Sequence, residues 1–123
     1  MRKLLLAGLA LLLSSCASTP PGQDVRPLGR LYISGAAGEG DMPAAVRSAY
    51  ERLGRTLAAN GLTFANVVKE SVRTTDVDAF EATKELRKTF YGANLPAATF
   101  VEVRRLFLPS SAVEIELVAE EAR

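Results

Sequence analysis

Residues 94–106, NLPAATFVEVRRL, followed after a short break by residues 112–119, AVEIELVA, decide how this chain folds. Asn94-Leu95-Pro96 reads as a turn, and the β-branched and aromatic run from Ala98 to Leu106 reads as a strand. The second run alternates, with Val113, Ile115 and Leu117 on one face and Glu114, Glu116 and Val118 on the other. Before this pair, Asp78 and Glu81 make a capping-box-like helix start, with aspartate in place of serine or threonine. Phe80, Thr83, Leu86 and Phe90 then line one helical face, and Gly92 ends it. Further back, NVVKESVRT reads as a strand through Val67, Val68 and Val72. From Pro43 to Asn60, Val46, Ala49, Tyr50, Leu53 and Leu57 recur at helical spacing; Pro43 suits the first turn and Gly61 the C-cap. Asn60-Gly61 also suits a hairpin turn, but the preceding period of 3.6 favours the helix. GRLYISGAAG supplies a first short strand, stopped by glycines, with Leu31, Ile33 and Gly35 on one face and Tyr32 and Ser34 on the other. The order is β-α-β-α-β-β: an α+β layer with two helices on one face of a mixed sheet, a final hairpin, and an open sheet face suited to self-association.

The N-terminus is set apart from this fold. Arg2 and Lys3 precede a ten-residue run from Leu4 to Leu13, then Ser14-Ser15-Cys16. Such a run rises only about 15 Å as a helix, half of a hydrocarbon core. The arrangement resembles a bacterial lipoprotein signal in residues 1–15, with Cys16 as the lipidated residue; the alternative is an ordinary secretory signal with a chance cysteine. Cys16 is the single cysteine, so no internal disulfide forms. Residues 16–27 form the lipidated cysteine and a proline-rich tether reaching on the order of 35 Å, and residues 28–121 the folded domain. The resemblance implies a bacterial cell-envelope protein facing the periplasm, with Ala17 after the cysteine favouring the outer membrane over the inner. Loss of Arg2 and Lys3 takes the formal charge from +1 to about −1, so no nucleic-acid partner is expected.

The inventory excludes much chemistry. With no histidine and one cysteine, a Ser-His-Asp triad, a Cys-His pair and a typical zinc site are unavailable, and no metal or cofactor is expected. The glycine-rich GAAGEG, residues 35–40, lacks the lysine of a phosphate loop and the full dinucleotide fingerprint, and reads as a strand-to-helix loop. The carboxylates Glu102, Glu114 and Glu116 stand on the last two strands, as part of a site or as a solvated sheet face.

Four blocks, LYISGAAG, GLTFANVVKESVRTTDVDAF, LPAATFVEVRRL and AVEIELVAEE, together resemble the RidA/YjgF family of imine and enamine deaminases, over about Leu31 to Ala119. The resemblance implies a sheet backed by two helices and a homotrimer with a central barrel, which would cover the open face. It also implies a cleft between subunits, where an arginine holds the carboxylate of a 2-imino acid and a glutamate positions water. A serine and a tyrosine complete that cleft.

Carried onto this chain, the resemblance makes Ser34 and Glu114 the candidate catalytic residues, and Ser34, Gly35, Ala98, Thr99 and Glu114 the candidate ligand-binding residues. The family arginine falls on Ala98, the family tyrosine has no counterpart in GQDVRPLGR, and the Gly92–Pro96 connection is about three residues shorter than usual. Arg104 shares strand parity with Ala98 but lies about 20 Å along the strand, and Arg105 points to the other face. Arg73, Lys84 or a neighbour's Arg30 are the remaining sources of a cation. The expectation is a binding protein without standard deaminase activity, whose cleft favours neutral or cationic small molecules. The alternatives are an imine deaminase with a displaced cation, and a structural trimer that gathers lipid anchors.

Overall fold

The computed structural model describes residues 24–25 and 29–121; the expected signal, Cys16 and most of the expected tether lie outside them. The elements are β1 (Asp24–Val25), β2 (Arg30–Glu39), α1 (Met42–Ala59), β3 (Val67–Thr74), α2 (Val77–Glu81), α3 (Lys84–Tyr91), β4 (Ala97–Glu102) and β5 (Ser111–Glu120). They form a mixed five-stranded sheet in the order β1-β2-β5-β3-β4 with the helices on one side, which is the expected α+β architecture.

α1 begins where Asp41 accepts a 2.9 Å hydrogen bond from the Ala44 amide, with Pro43 in the first turn. It ends at Asn60, and Gly61 takes a φ of +71°, the left-handed conformation that favours glycine. Its buried stripe, with Val46, Tyr50, Leu53 and Leu57, lies on β2 and β5. Gly38 of β2 lets strand and helix meet, since a Cβ there would stand 2.0 Å from the Ala45 carbonyl oxygen.

Four expectations are corrected. The last two strands are not a hairpin: β5 lies between β2 and β3, antiparallel to both, and β4 pairs with β3 in parallel at the sheet edge. The physical reason is burial. Val113, Ile115, Leu117 and Ala119 are all buried, so β5 needs a strand on each side, whereas every residue of β4 is exposed. The first strand does not stop at its glycines but runs through Ser34-Gly35 to Glu39. The second helix is two pieces, and its cap is Asp76, which accepts from the Ala79 amide at 2.8 Å, not Asp78. Finally, β4 ends at Glu102, so Arg104 and Arg105 sit in the following loop and strand parity says nothing about them.

Candidate functional site

The site is built on a bulge. Ile33 pairs with Leu117 and Ala36 with Ile115, so Ser34 and Gly35 together oppose Glu116. This re-aims β2 where the sequence analysis placed two site residues. The Glu114 side chain leans over Gly35: a Cβ on that glycine would stand 2.5 Å from Glu114 Cγ and 2.9 Å from Oε1. Gly35 and Glu114 therefore meet, and Ser34 stands beside them in the bulge, lining with Gly35 a cavity shared with Arg52, Leu53 and Thr56 of α1. Glu114 itself projects from the sheet face away from the helices.

Cross-strand register extends that face. Glu114 pairs with Arg73, and Arg73 with Val101; Glu116 pairs with Ser71, and Ser71 with Thr99. Arg73 Nη1 lies 3.1 Å from Glu116 Oε2 and 3.6 Å from Glu114 Oε1, and makes no hydrogen bond among the described residues. One guanidinium thus stands between two carboxylates, and the local charge is net negative. Tyr32, Val68 and Val101 add exposed apolar surface. The third carboxylate, Glu102, belongs elsewhere: its Oε2 accepts from the Val77 amide at 2.9 Å and helps begin α2.

Ala98 is not with them. It pairs with Glu70, a buried residue of the helix-facing side, so within one chain Ala98 and Glu114 occupy opposite faces of the sheet. Thr99, one residue on, lies on the Glu114 face. Beside Ala98 is a network that sequence reasoning missed. Glu70, fully shielded from solvent, accepts from the Tyr50 hydroxyl on Oε1 and from Arg87 on Oε2, the Arg87 Nε bond being 2.8 Å. The Arg87 guanidinium lies between two rings, 5.1 Å from the Tyr91 centroid and 5.3 Å from that of Phe100. Its position on α3 near β4 opens a cavity of about 130 Å³, lined among others by Phe80, Lys84, Lys88, Leu95 and Phe100. The available signal was a glutamate at a core position of a strand, which requires a buried counter-charge.

Burial is the main cause that pushes the Tyr50 hydroxyl far above the usual phenol range, with the Glu70 charge and hydrogen bond acting in the same direction. Tyr91 rises for the same leading reason. For Arg87, burial opposes the charge, and the hydrogen bond and charge of Glu70 outweigh it, so the guanidinium is held protonated. Of the other cations considered, Arg30 is paired to Glu120 with Nε at 2.8 Å, and Lys84 lines the α3–β4 cavity.

Residues 17–121 match the family described as endoribonuclease L-PSP. A rat 2-iminobutanoate/2-iminopropanoate deaminase is 34% identical over 98 residues, covering 72% of this chain and 71% of the relative. Among solved structures, Rv2704 of Mycobacterium tuberculosis, a member of the YjgF/YER057c/UK114 family, is 31% identical with a TM-score of 0.74, covering 80% of this chain and 85% of that one. The YjgF gene product of E. coli is 27% identical with a TM-score of 0.73, over 84% of this chain and 89% of that one. With the family profile spanning nearly all of the described residues, and with the fold and strand blocks in agreement, this chain belongs to the endoribonuclease L-PSP, or RidA/YjgF, family.

Proposed function

We propose that this chain is a lipid-anchored small-molecule-binding member of its family with little or no standard imine deaminase activity. The cleft would form between copies, from the Ser34–Gly35–Glu114 face of one and the β4 edge, with Ala98 and Thr99, of the next. The observation that carries this reading is Ala98. Where the family resemblance puts an arginine, this chain has a methyl group at an exposed sheet edge. A charge-assisted bidentate contact contributes a few kcal/mol, and its absence lowers the rate on the order of a hundredfold or more. Support for the assembly comes from the sheet itself, which presents apolar Tyr32, Val68 and Val101 opposite its helices. The lipid anchor rests on the N-terminal pattern ending at Cys16.

A second reading, deamination with a displaced cation, is favoured by the names of the relatives and by Arg73 at 3.6 Å from Glu114. Against Arg73 is its company, because Glu116 and Glu114 already hold it. The ribonuclease reading in the family description has less in its favour, since the chain has no histidine and a near-neutral charge. Ammonia release from freshly generated 2-iminobutanoate, measured with the full chain in detergent, tests the proposal. A rate indistinguishable from buffer is expected, and a rate clearly above it overturns the first reading in favour of the second.

A further inference from the structure

Position 98, which has no cation, lies close to one on α3. Ala98 stands directly opposite Glu70 in the parallel β3–β4 pair, about 5 Å away across the ladder, and Glu70 already receives the guanidinium of Arg87 from α3. An arginine at 98 would bring a second guanidinium to a carboxylate that has one. The two guanidinium groups would compete for one carboxylate, and alanine at 98 leaves Glu70 to Arg87 and Tyr50.

We infer that Arg87 holds the carboxylate of a small monocarboxylic acid in the α3–β4 cavity, in place of an arginine on the strand. Glu70 takes Nε and Nη2 on one side, while among the described residues no hydrogen bond reaches Nη1, so the outer edge of the planar group can bind a carboxylate end-on. The rings of Tyr91 and Phe100 fix the guanidinium plane, and the Glu70 bonds fix its rotation. Such a cation has less ordering entropy to lose than a solvated lysine. Lys84 and Lys88 stand at the rim with Glu81, and Leu95 and Phe100 offer apolar surface for a short alkyl group. At about 130 Å³ the cavity is well below the roughly 300–1,000 Å³ that holds drug-sized ligands, so the ligand is a small acid. This inference rests on the proposed small-molecule cleft and changes the ligand class expected for it, from neutral or cationic molecules to small carboxylates. Arg73 cannot serve the same end, being on the other face between two glutamates.

The test is a titration of the full chain in detergent with 2-oxobutanoate, following amide and Arg87 Nε–H signals, with 2-butanone as the neutral control. Saturable binding of the acid and none of the ketone is expected. Arg87→Lys keeps a charge against Glu70 but loses the fork, and should weaken binding at least tenfold. Glu70→Gln removes the competing charge and should tighten it several-fold. Arg87→Met with Ala98→Arg returns a guanidinium to the strand and should recover binding. Failure of the native chain to bind the acid overturns the inference, as does equal binding by native and Arg87→Lys chains. Neither result depends on ammonia release. An active chain that loses binding in Arg87→Lys would overturn the reading of lost deamination while sustaining the role of Arg87.

Discussion

Substituting alanine for glycine at two positions three residues apart in β2 should give two different phenotypes. At Gly38 the new Cβ would stand 2.0 Å from the Ala45 carbonyl oxygen, 2.6 Å from its carbon and 2.8 Å from its Cα, all backbone atoms of α1. To reach an ordinary 3.4 Å contact, the helix must retreat by about 1.4 Å, lifting the stripe that buries Tyr50, Leu53 and Leu57. Overpacking typically costs about 1–3 kcal/mol, and with backbone on both sides of the clash the cost belongs at or above the top of that range. For a domain of this size, about 3 kcal/mol lowers the melting temperature by roughly 12–24 °C. At Gly35 the new Cβ meets only the Glu114 side chain, which can turn away. That costs about 0.5–1.5 kcal/mol in rotamer energy but removes Glu114 from the bulge. Urea unfolding of both variants, with ligand titration of Gly35→Ala, measures the contrast. Gly38→Ala within 1 kcal/mol of the native chain, or Gly35→Ala the more damaging of the two, would refute the close approach of β2 to α1.

Arg87→Met leaves Glu70 buried without its counter-charge and should cost about 3–5 kcal/mol, whereas Glu70→Leu with Arg87→Met should recover most of that loss; a double-mutant cycle in urea reads both. Tyr50 and Tyr91 are held protonated in the folded chain, so their contribution is fully present below the ordinary tyrosine pKa near 10 and fades as pH rises beyond it. Stability should therefore fall by about 1.4 kcal/mol per pH unit for each of the two above pH 10, and phenolate absorbance from them should appear only with unfolding; early titration of either would count against its burial. If Cys16 carries the proposed anchor, Cys16→Ser should abolish incorporation of a labelled fatty acid and release the protein from the membrane fraction; unchanged labelling would place the lipid elsewhere, and a native chain that takes up no label would deny it.

The first helix was legible because it carries a local signature, whereas the second was legible as an element but not in its Asp76 cap or its break after Glu81. The α1 stripe, Pro43 and Gly61 state the element and both its ends within twenty residues. The order of elements was legible too, but strand neighbours were not. Both of the last two strands are β-rich and adjacent in sequence, and only the full burial of Val113, Ile115, Leu117 and Ala119 shows that β5 needs two partners. That is a property of the assembled sheet. The two-residue bulge was likewise invisible, because Ser34-Gly35 reads as the end of a strand until Glu116 is seen opposite both. For the site, alternation fixed the face of Glu114, whereas the bulge at Ser34-Gly35 breaks the alternation that would have fixed theirs. Arg87 was missed because it sits on the buried side of a helix, where its partner is seventeen residues away on another element.

In the proposed cleft between copies, the register gives one chain half of the site. Glu114 and Thr99 project from one face of the sheet, with Gly35 under the Glu114 side chain, and Ala98 lies with the Arg87 cavity on the other. A sheet is a single backbone layer, and a small ligand cannot reach through it to touch both sets. Contact between them requires a second copy whose outer face meets the β4 edge of the first. β4 suits that role: it is at the sheet's end, all six of its residues are exposed, and Leu95 before it and Phe100 within it offer apolar surface. In such a cleft the cation and the carboxylates come from different chains, so mixed assemblies give a direct test. Combining Arg87→Lys chains with Glu114→Gln chains should restore a fraction of intact clefts that neither variant has alone, and a mixture no better than its parts would put both groups on the same chain or the cleft elsewhere.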